Sequence, residues 1–458
     1  MRLKNKGGIA MAIMLADILS RLISNRRYSS LRDILTIMNE ADAAAVFDEL
    51  PEEDLPILFR LLPKDLASDV FALMENDAQE LLIKSFSDSE LKEVLDELYV
   101  DDTADLIEEM PANVVKRILA NTEPEKRAVI NEILKYPEDS AGSLMTIEYI
   151  SLRPKMTAAE AIKRIRRTIT DKETIYTCYV TDDNRHLIGY ISLRTLLLAE
   201  PDALISDIMV DTVICVHTTE DKEDVAKKMT HYNFVSMPVV DAENRLVGIV
   251  TFDDAIDVMQ DEATEDMKMM AAITPNEESY FKTSDFKHAK TRILWLLILM
   301  LSSAITGGII SGYEDSFKAV PILVSFIPML MGTGGNCGSQ SSTLVIRSMA
   351  VDDIKKGDFF KVVWLEFRVS LLLSAALAVV NGLRILIMYR NPLLAMVISL
   401  SIIGIVIMSE MIGCMLPMFA KRLHCDPAVM AAPLITTIVD ACSVLIYFNV
   451  ACHFMAIG

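Results

Sequence analysis

The chain has 458 residues, enough for about three domains at ~150 residues each. Its 44 Lys and Arg face 64 Asp and Glu, and the resulting formal charge of −20 argues against a nucleic-acid partner. Residues 1–285 carry 31 basic and 55 acidic residues, a balance of −24, whereas residues 286–458 carry 13 and 9, a balance of +4. With 52% apolar residues and a mean hydropathy of +0.33, this describes an acidic soluble half joined to a membrane half and argues against a purely soluble enzyme.

At the start, Arg2, Lys4 and Lys6 precede an apolar stretch from Ile9 to Leu15, superficially like a signal peptide. Asp17, Arg21, Arg26 and Arg27 continue an amphipathic pattern with no small-residue cleavage site, so an ordinary first helix is predicted. The seven cysteines include no C-x-x-C pair and no metal-finger spacing, which gives no support to a disulfide framework or a structural zinc site. Residues 31–138 read as short amphipathic helices punctuated by Leu50-Pro51, Leu62-Pro63 and Met110-Pro111, with Pro expected just inside helix starts. The expectation for residues 1–140 is an acidic, all-α superhelical domain, a quasi-solenoid of helical hairpins. Its acids Asp69, Asp101, Asp102 and Asp105 read by themselves as a solvated face.

Residues 143–265 contain an internal repeat. The stretch Val180-Thr-Asp-Asp-Asn-Arg-His-Leu-Ile-Gly-Tyr-Ile-Ser-Leu aligns at an offset of 59 with Val239-Val-Asp-Ala-Glu-Asn-Arg-Leu-Val-Gly-Ile-Val-Thr-Phe. Met145 and Met209 begin the two copies, each running through a short strand (149–152, 213–216) into a helix starting near Thr157 or Asp221. This order resembles a tandem pair of cystathionine-β-synthase-type (CBS) domains, a regulatory α/β module, at 141–206 and 207–262. The likeness implies ATP or another adenine nucleotide as a ligand of the pair.

Asp253, Asp254, Asp257, Asp261, Glu262, Glu265 and Asp266 then load one helix with acid, several on one face. Like charges so placed destabilise a helix unless counterions bridge them, and a divalent cation is a natural counterion; the alternative is a disordered acidic linker. An acidic linker helix and its connection to the membrane half are expected over 263–290.

In the remaining residues, 291–458, Ile293–Tyr313 is the first stretch long enough to cross a hydrocarbon core of ~30 Å. Four more follow at about 319–346, 362–388, 394–419 and 430–457. Lys287, Lys290, Arg292, Arg347, Lys355, Lys356, Lys361, Lys421 and Arg422 flank one side, against Lys318 and Arg390 on the other. Five spans in a cell membrane are expected, with the N-terminal domains cytoplasmic and the C-terminus external. The second is irregular: Pro321 and Pro328 remove backbone donors, and Gly332, Gly334 and Gly335 sit in a polar stretch running to Gln340, so this segment should be buried in protein or line water. The sequence argues against a phosphate-binding loop, since neither Gly-Lys-Ser/Thr nor a preceding strand is present. Close packing through small residues suits Gly308 and Gly312 of the first span better.

Glu366, Arg368, Glu410 and Asp440 fall within predicted spans. Glu366 and Arg368 read as interfacial anchors, and Glu410 as a partner for another helix. Asp440 differs, because Thr436, Asp440 and Ser443 recur at i, i+4 and i+7 as a polar stripe on an apolar helix. A carboxylate with no cationic neighbour in its span asks for a cation, and the stripe suits a pore wall.

These features come in one order: acidic helical domain, CBS pair with acidic exit helix, then spans bearing Pro328-x-x-x-Gly332-Thr-Gly-Gly-Asn336-x-Gly-x-Gln340, Asp426-Pro-Ala and Pro433-Leu to Asp440. Together they resemble the MgtE family of magnesium channels over nearly the whole chain. The resemblance implies a homodimer in the bilayer, with Asp440, Thr436 and Asn336 at a pore between second and fifth spans. It implies cytosolic Mg²⁺ sensing by Asp69, Asp101, Asp105, Glu223, Asp254, Asp257, Glu262, Glu265, Asp266 and Asp426, and an acidic linker helix that plugs the pore entrance. Asn233 stands where a carboxylate is expected and Ala432 where Asn is.

Three rival readings are a Co²⁺, Mn²⁺ or Zn²⁺ transporter of the same fold, a membrane-tethered nucleotide sensor, and an intramembrane hydrolase using Glu366, Glu410 and Asp440. Apart from Cys442, no His or Cys accompanies Asp440, which favours a hard cation, and the hydrolase lacks a paired His or a metal-binding helix motif.

Overall fold

The computed structural model describes residues 6–455 except 170–171, 277–279, 281–282, 315–317, 319, 352, 356, 424 and 431. The chain divides into two compact units, Met1–Gln260 and Asp261–Gly458.

The first unit opens with ten helices: α1 (Lys6–Ser24), α2 (Tyr28–Ile37), α3 (Glu40–Phe47), α4 (Leu55–Phe59), α5 (Lys64–Ala72), α6 (Asn76–Ser85), α7 (Asp88–Glu97), α8 (Val100–Glu109), α9 (Ala112–Asn121) and α10 (Pro124–Ile133). Helix α1 packs on α3, α3 on α5, α5 on α7 and α7 on α9, while α8 packs on α10. Stacking of next neighbours is the solenoid rhythm expected from the punctuated sequence. Ser87 closes α7 with a reciprocal box, its hydroxyl reached by the Glu90 amide and its own amide by the Glu90 carboxylate. Pro63 and Pro111 stand one position earlier than predicted, as the N-caps of α5 and α9 rather than inside them. The interior is apolar, with Phe59 edge-on to Phe47 and Phe71.

Two three-stranded sheets follow. In the first, β1 (Ser151–Leu152) runs parallel to β2 (Thr177–Thr181), which is antiparallel to β3 (Leu187–Ser192); β4 (Val216–His217), β5 (Ser236–Val240) and β6 (Leu246–Thr251) repeat the order. The helices among them are α11 (Ala141–Leu144), α12 (Ala158–Thr168), α13 (Leu193–Leu198), α14 (Ile205–Ile208) and α15 (Lys222–Tyr232). Thr157 and Asp221, the predicted starts, cap α12 and α15. The copies exchange edges: Thr146 bridges Ile249 and Tyr190 bridges Val210. Gly248 and Gly189 make this possible, since a Cβ there would lie 2.6 Å from Met145 Sδ and 2.8 Å from Met209 Sδ. Helix α16 (Phe252–Met270) leaves β6 without a break and carries the acidic run.

In the second unit α17 (Asp285–Gly312) is followed by a 3-10 segment (Pro321–Phe326), α18 (Ile327–Ala350), α19 (Phe359–Tyr389), α20 (Pro392–Arg422), a 3-10 turn (Pro427–Met430) and α21 (Ala432–Met455). Among the described residues four helices are long and apolar enough to cross a membrane: α17, α19, α20 and α21 from Pro433. The second expected span falls on α18, whose polar residues keep it out of that set. Its irregularity is confined to the 3-10 segment, and the helix runs unbroken through Gly332–Gln340. Helix α20 packs on both α18 and α19, and α21 on α17, α18 and α20. The core lies among Leu323, Phe326, Leu330, Ile402, Tyr447 and Phe448, with Tyr447 Oη donating to the Leu323 carbonyl at 2.9 Å. Among the described residues Gly308 and Gly312 mediate no close packing: a Cβ on either would meet nothing within 4 Å.

Candidate functional site

In the second unit, Pro328, Gly332, Gly335 and Asn336 of α18 face Thr436 and Asp440 of α21 around a cavity of about 450 Å³. The approach depends on small residues. A Cβ on Gly335 would sit 3.2 Å from Thr436 Cγ2 and 4.0 Å from Asp440 Oδ1, and one on Gly334 would press to 2.8 Å on Ser443 Oγ. Asp440 is half-buried and has neither an ion pair nor a hydrogen bond among the described residues. Thr436 donates back to the Pro433 carbonyl at 2.9 Å, leaving its oxygen lone pairs free to accept. The polar stripe divides: Thr436 and Asp440 line the cavity, while Ser443 is buried against Gly334.

Behind α18 lies a second carboxyl cluster. Glu366 and Glu410 share a side-chain hydrogen bond, and Ser341 Oγ donates to Glu366 Oε2 at 3.0 Å while lying 3.3 Å from the Glu410 carbonyl. Glu410 therefore pairs with another helix as expected. Glu366 is joined to two neighbouring helices rather than acting as an interfacial anchor.

In the first unit, α8 and the start of α16 bring acids together. Burial raises Asp101 well above the carboxylate range, with Asp102, Asp254, Glu173 and Glu148 adding repulsion. Burial likewise pushes Asp102 and Asp254 up to about 6, each opposed by a hydrogen bond, from the Tyr99 backbone and the Thr251 hydroxyl respectively. Asp105 keeps an open rim but is pushed up to about 7, by its dense surroundings first and then by Asp254 and Asp102. Glu173 reaches about 8, again chiefly by burial. Lys126, held against the Leu95 carbonyl at 2.6 Å, is the nearby cation that eases Asp102. Asp101 Oδ1 and Glu173 Oε2 are buried with no hydrogen-bond partner. Among the described residues no group of three or more His, Cys, Asp or Glu is arranged to hold a metal ion directly.

The other predicted residues lie on separate elements. Glu223, in the first turn of α15, pairs with Lys227 at 2.7 Å. Asp69 acts electrostatically on Asp102 and Tyr99. Asp257 and Glu265 are exposed on α16, with Glu262 and Asp266 half-buried. Asp426 Oδ1 accepts from the Ala428 amide at 2.8 Å. Asn233 ends α15 with φ 54°, a left-handed geometry that Asn tolerates better than most residues. The side chain of Ala432 lies outside the described residues. Glu148 and Glu173 were missed: each is a single acid in a loop, brought close when the Glu173 amide donates to the Glu148 carbonyl at 3.0 Å.

A half-buried carboxylate at a cavity among apolar helices, without a cationic partner among the described residues, fits a membrane transport protein. Comparison with known proteins agrees. Residues 327–450 match a family described as divalent cation transporter, 14–139 the MgtE intracellular N domain, and 141–202 and 205–261 the CBS domain. The chain is 38% identical over 426 residues to the magnesium transporter MgtE of Thermus thermophilus, covering 92% of this chain and 94% of the relative. It is 32% identical to the magnesium transporter MgtE of Bacillus subtilis, covering 96% of this chain and 98% of the relative. Among solved structures, the cytosolic domain of the Mg²⁺ channel MgtE in complex with ATP matches with a TM-score of 0.50 and 38% identity, over 53% of this chain and 99% of that one. The soluble part of a magnesium transporter matches with a TM-score of 0.51 and 32% identity, over 56% and 99%. The chain belongs to the MgtE family, a family of transporters and not of enzymes.

Proposed function

We propose that the chain is a Mg²⁺-selective, channel-like importer that works as a homodimer with five spans in the cell membrane, its N-terminal domains cytoplasmic and its C-terminus external. The observation that carries this reading is Asp440, a carboxylate without a cationic partner among the described residues, which lines the cavity beside Thr436 of its own helix and opposite Asn336 of α18. Mg²⁺ surrenders water reluctantly, so a site offering one carboxylate per subunit and a few neutral oxygens suits a largely hydrated ion that must also leave. On a two-fold axis each subunit would supply one such carboxylate. An inside-negative potential supplies ~4.6 kcal/mol per 100 mV for a divalent ion, twice the per-charge value, so no ATP hydrolysis is required.

Closure at high internal Mg²⁺ is assigned to the acids of the first unit and the α16 helix. Asp101, Asp102, Asp105, Asp254, Glu148 and Glu173 repel one another, and two buried oxygens lack donors, a state that a cation relieves. Asp69, Glu223, Asp257, Glu262, Glu265, Asp266 and Asp426 are proposed to complete the sensor, with α16 acting as the plug. A cation bound better by the compact state shifts the population towards it. The CBS pair is proposed to take an adenine nucleotide, supported by the ATP complex of the related cytosolic domain.

The test is Mg²⁺ uptake by cells or proteoliposomes carrying the chain, with Co²⁺, Mn²⁺ and Ca²⁺ in parallel. Uptake driven by an inside-negative potential and shut by internal Mg²⁺ is expected; flux of Co²⁺ or Mn²⁺ with none of Mg²⁺ would overturn the choice of ion.

A further inference from the structure

Helix α1 is apolar on nearly all sides. Of its 19 residues 12 are Ile, Leu, Met or Ala, and Asp17 is its one acid. Ala12, Ala16, Leu19 and Ile23 form an inner face, buried in the core of the first unit. The opposite face carries Met11, Met14 and Ile18 at i, i+3 and i+7, each between 40% and 58% exposed. A helix that is hydrophobic all round is normally buried all round, so half of α1 lacks a cover among the described residues. The exposure is local: Met11 to Ile37 includes six exposed large apolar side chains, whereas residues 38–140 include only Ile57 and Leu73 among the described residues.

Positive charge gathers in the same place. Residues 1–37 hold seven Lys and Arg against two Asp, a balance of +5, while residues 38–140 hold nine against 27 acids, a balance of −18. Arg21 follows Ile18 by three positions on the outer face, and Arg26 and Arg27 come in the turn into α2. All three are exposed, and none is paired with a carboxylate among the described residues. In the sequence Arg2, Lys4 and Lys6 add to the same end.

We propose that the outer face of α1 docks on the surface of an anionic bilayer. An interfacial helix sinks apolar side chains to headgroup depth and sets its cations against acidic lipid, and this face offers both. A second copy seated on it about a two-fold axis would bring like cations together. A purely polyanionic partner would satisfy the cations and leave Met11, Met14 and Ile18 wet. The first unit is tied by its own chain to a membrane-spanning half, so docking is an intramolecular step and a weak intrinsic affinity suffices. The inference rests on membership of a membrane transporter family, and not on the ion, pore or sensor assigned above.

The experiment places the full chain in nanodiscs of phosphatidylcholine, alone or mixed with phosphatidylglycerol, and follows oxidation of Met11 and Met14 by hydroxyl radicals. A second measurement uses Met14→p-benzoylphenylalanine as a photo-crosslinker, with the same replacement at the exposed Ile57 as control. The variant is Arg21→Gln with Arg27→Gln, whose altered side chains make no bond among the described residues. Oxidation should slow in the anionic discs, and lipid adducts should form from position 14 and not from position 57. Both effects should weaken with added salt and fall about tenfold or more in the variant, while its melting temperature in detergent stays unchanged. Equal oxidation in the two kinds of disc would overturn the proposal, as would lipid adducts indifferent to lipid charge and to the two substitutions. Adducts from position 14 to a protein chain would also overturn it, assigning the face to an interface between copies. Each of these results leaves Mg²⁺ uptake, measured separately, as the test of the transport reading.

Discussion

Gly413 of α20 meets Gly338 of α18 backbone to backbone: a Cβ on Gly413 would lie 2.4 Å from the Gly338 carbonyl oxygen and 3.1 Å from its Cα. The obstacle is main chain, which cannot swing aside, so the crossing tolerates no side chain. Gly413→Ala should force the helices apart, with Ser341 losing its alignment on Glu366 one turn along. A cost of at least ~1–3 kcal/mol, typical of overpacking, is expected as a lower melting temperature in detergent. A wild-type melt with wild-type transport would show that the crossing is looser than described.

Asp440→Ala should abolish Mg²⁺ uptake while leaving oligomer size in detergent unchanged, because the side chain bonds nothing that holds the helices among the described residues. Tracer or dye uptake into proteoliposomes checks the first part and size-exclusion chromatography the second. Normal uptake by this variant would remove Asp440 from the conducting path.

The acid cluster predicts how stability moves with pH. An acid whose folded pKa is raised binds more protons folded than unfolded between the two values, so stability falls as pH rises across that window. The window runs from the ordinary 3.8 to about 6 for Asp102 and Asp254, to about 7 for Asp105, and from 4.5 to about 8 for Glu173. With divalent ions chelated, the melting temperature should therefore climb from about pH 8 down to about pH 5.5. Saturating Mg²⁺ should flatten that slope, because the cation replaces the protons. A slope indifferent to Mg²⁺ would separate the cluster from metal sensing.

Neutralising Asp254, Asp257 and Glu265 together, as Asn, Asn and Gln, should keep the transporter open at internal Mg²⁺ that closes the wild type. Removing Asp254 also relieves repulsion on Asp101 and Asp105, so the variant should melt no lower than the wild type without metal. Patch-clamp recording with internal Mg²⁺ stepped upward decides it; unchanged closure would reject the sensor assignment.

Much of this was legible in sequence because it rests on local signals. The repeat announced the paired sheets, and Gly189 and Gly248 fall at matching places in it because each takes the opening Met of the other copy. Thr157 and Asp221 marked helix starts by capping chemistry. Asp440 stood out because an unpaired carboxylate is costly in an apolar helix. What could not be read depends on distant segments meeting. Glu148 and Glu173 are 25 positions apart and acquire meaning only beside α8 and α16. Glu366 looked like an anchor because its partner Glu410 lies on another helix. Asn233 resembled a lost ligand until its left-handed backbone supplied a separate reason for Asn.

Helix α17 shares little surface with the rest of its unit: 6% of its apolar window is buried, against 50% for α20. Its inclination is therefore set mainly by whatever surrounds it. A bilayer made thinner or thicker should lean α17 first and reach the α18–α20–α21 bundle last, giving the assembly one compliant strut beside a stiff trunk.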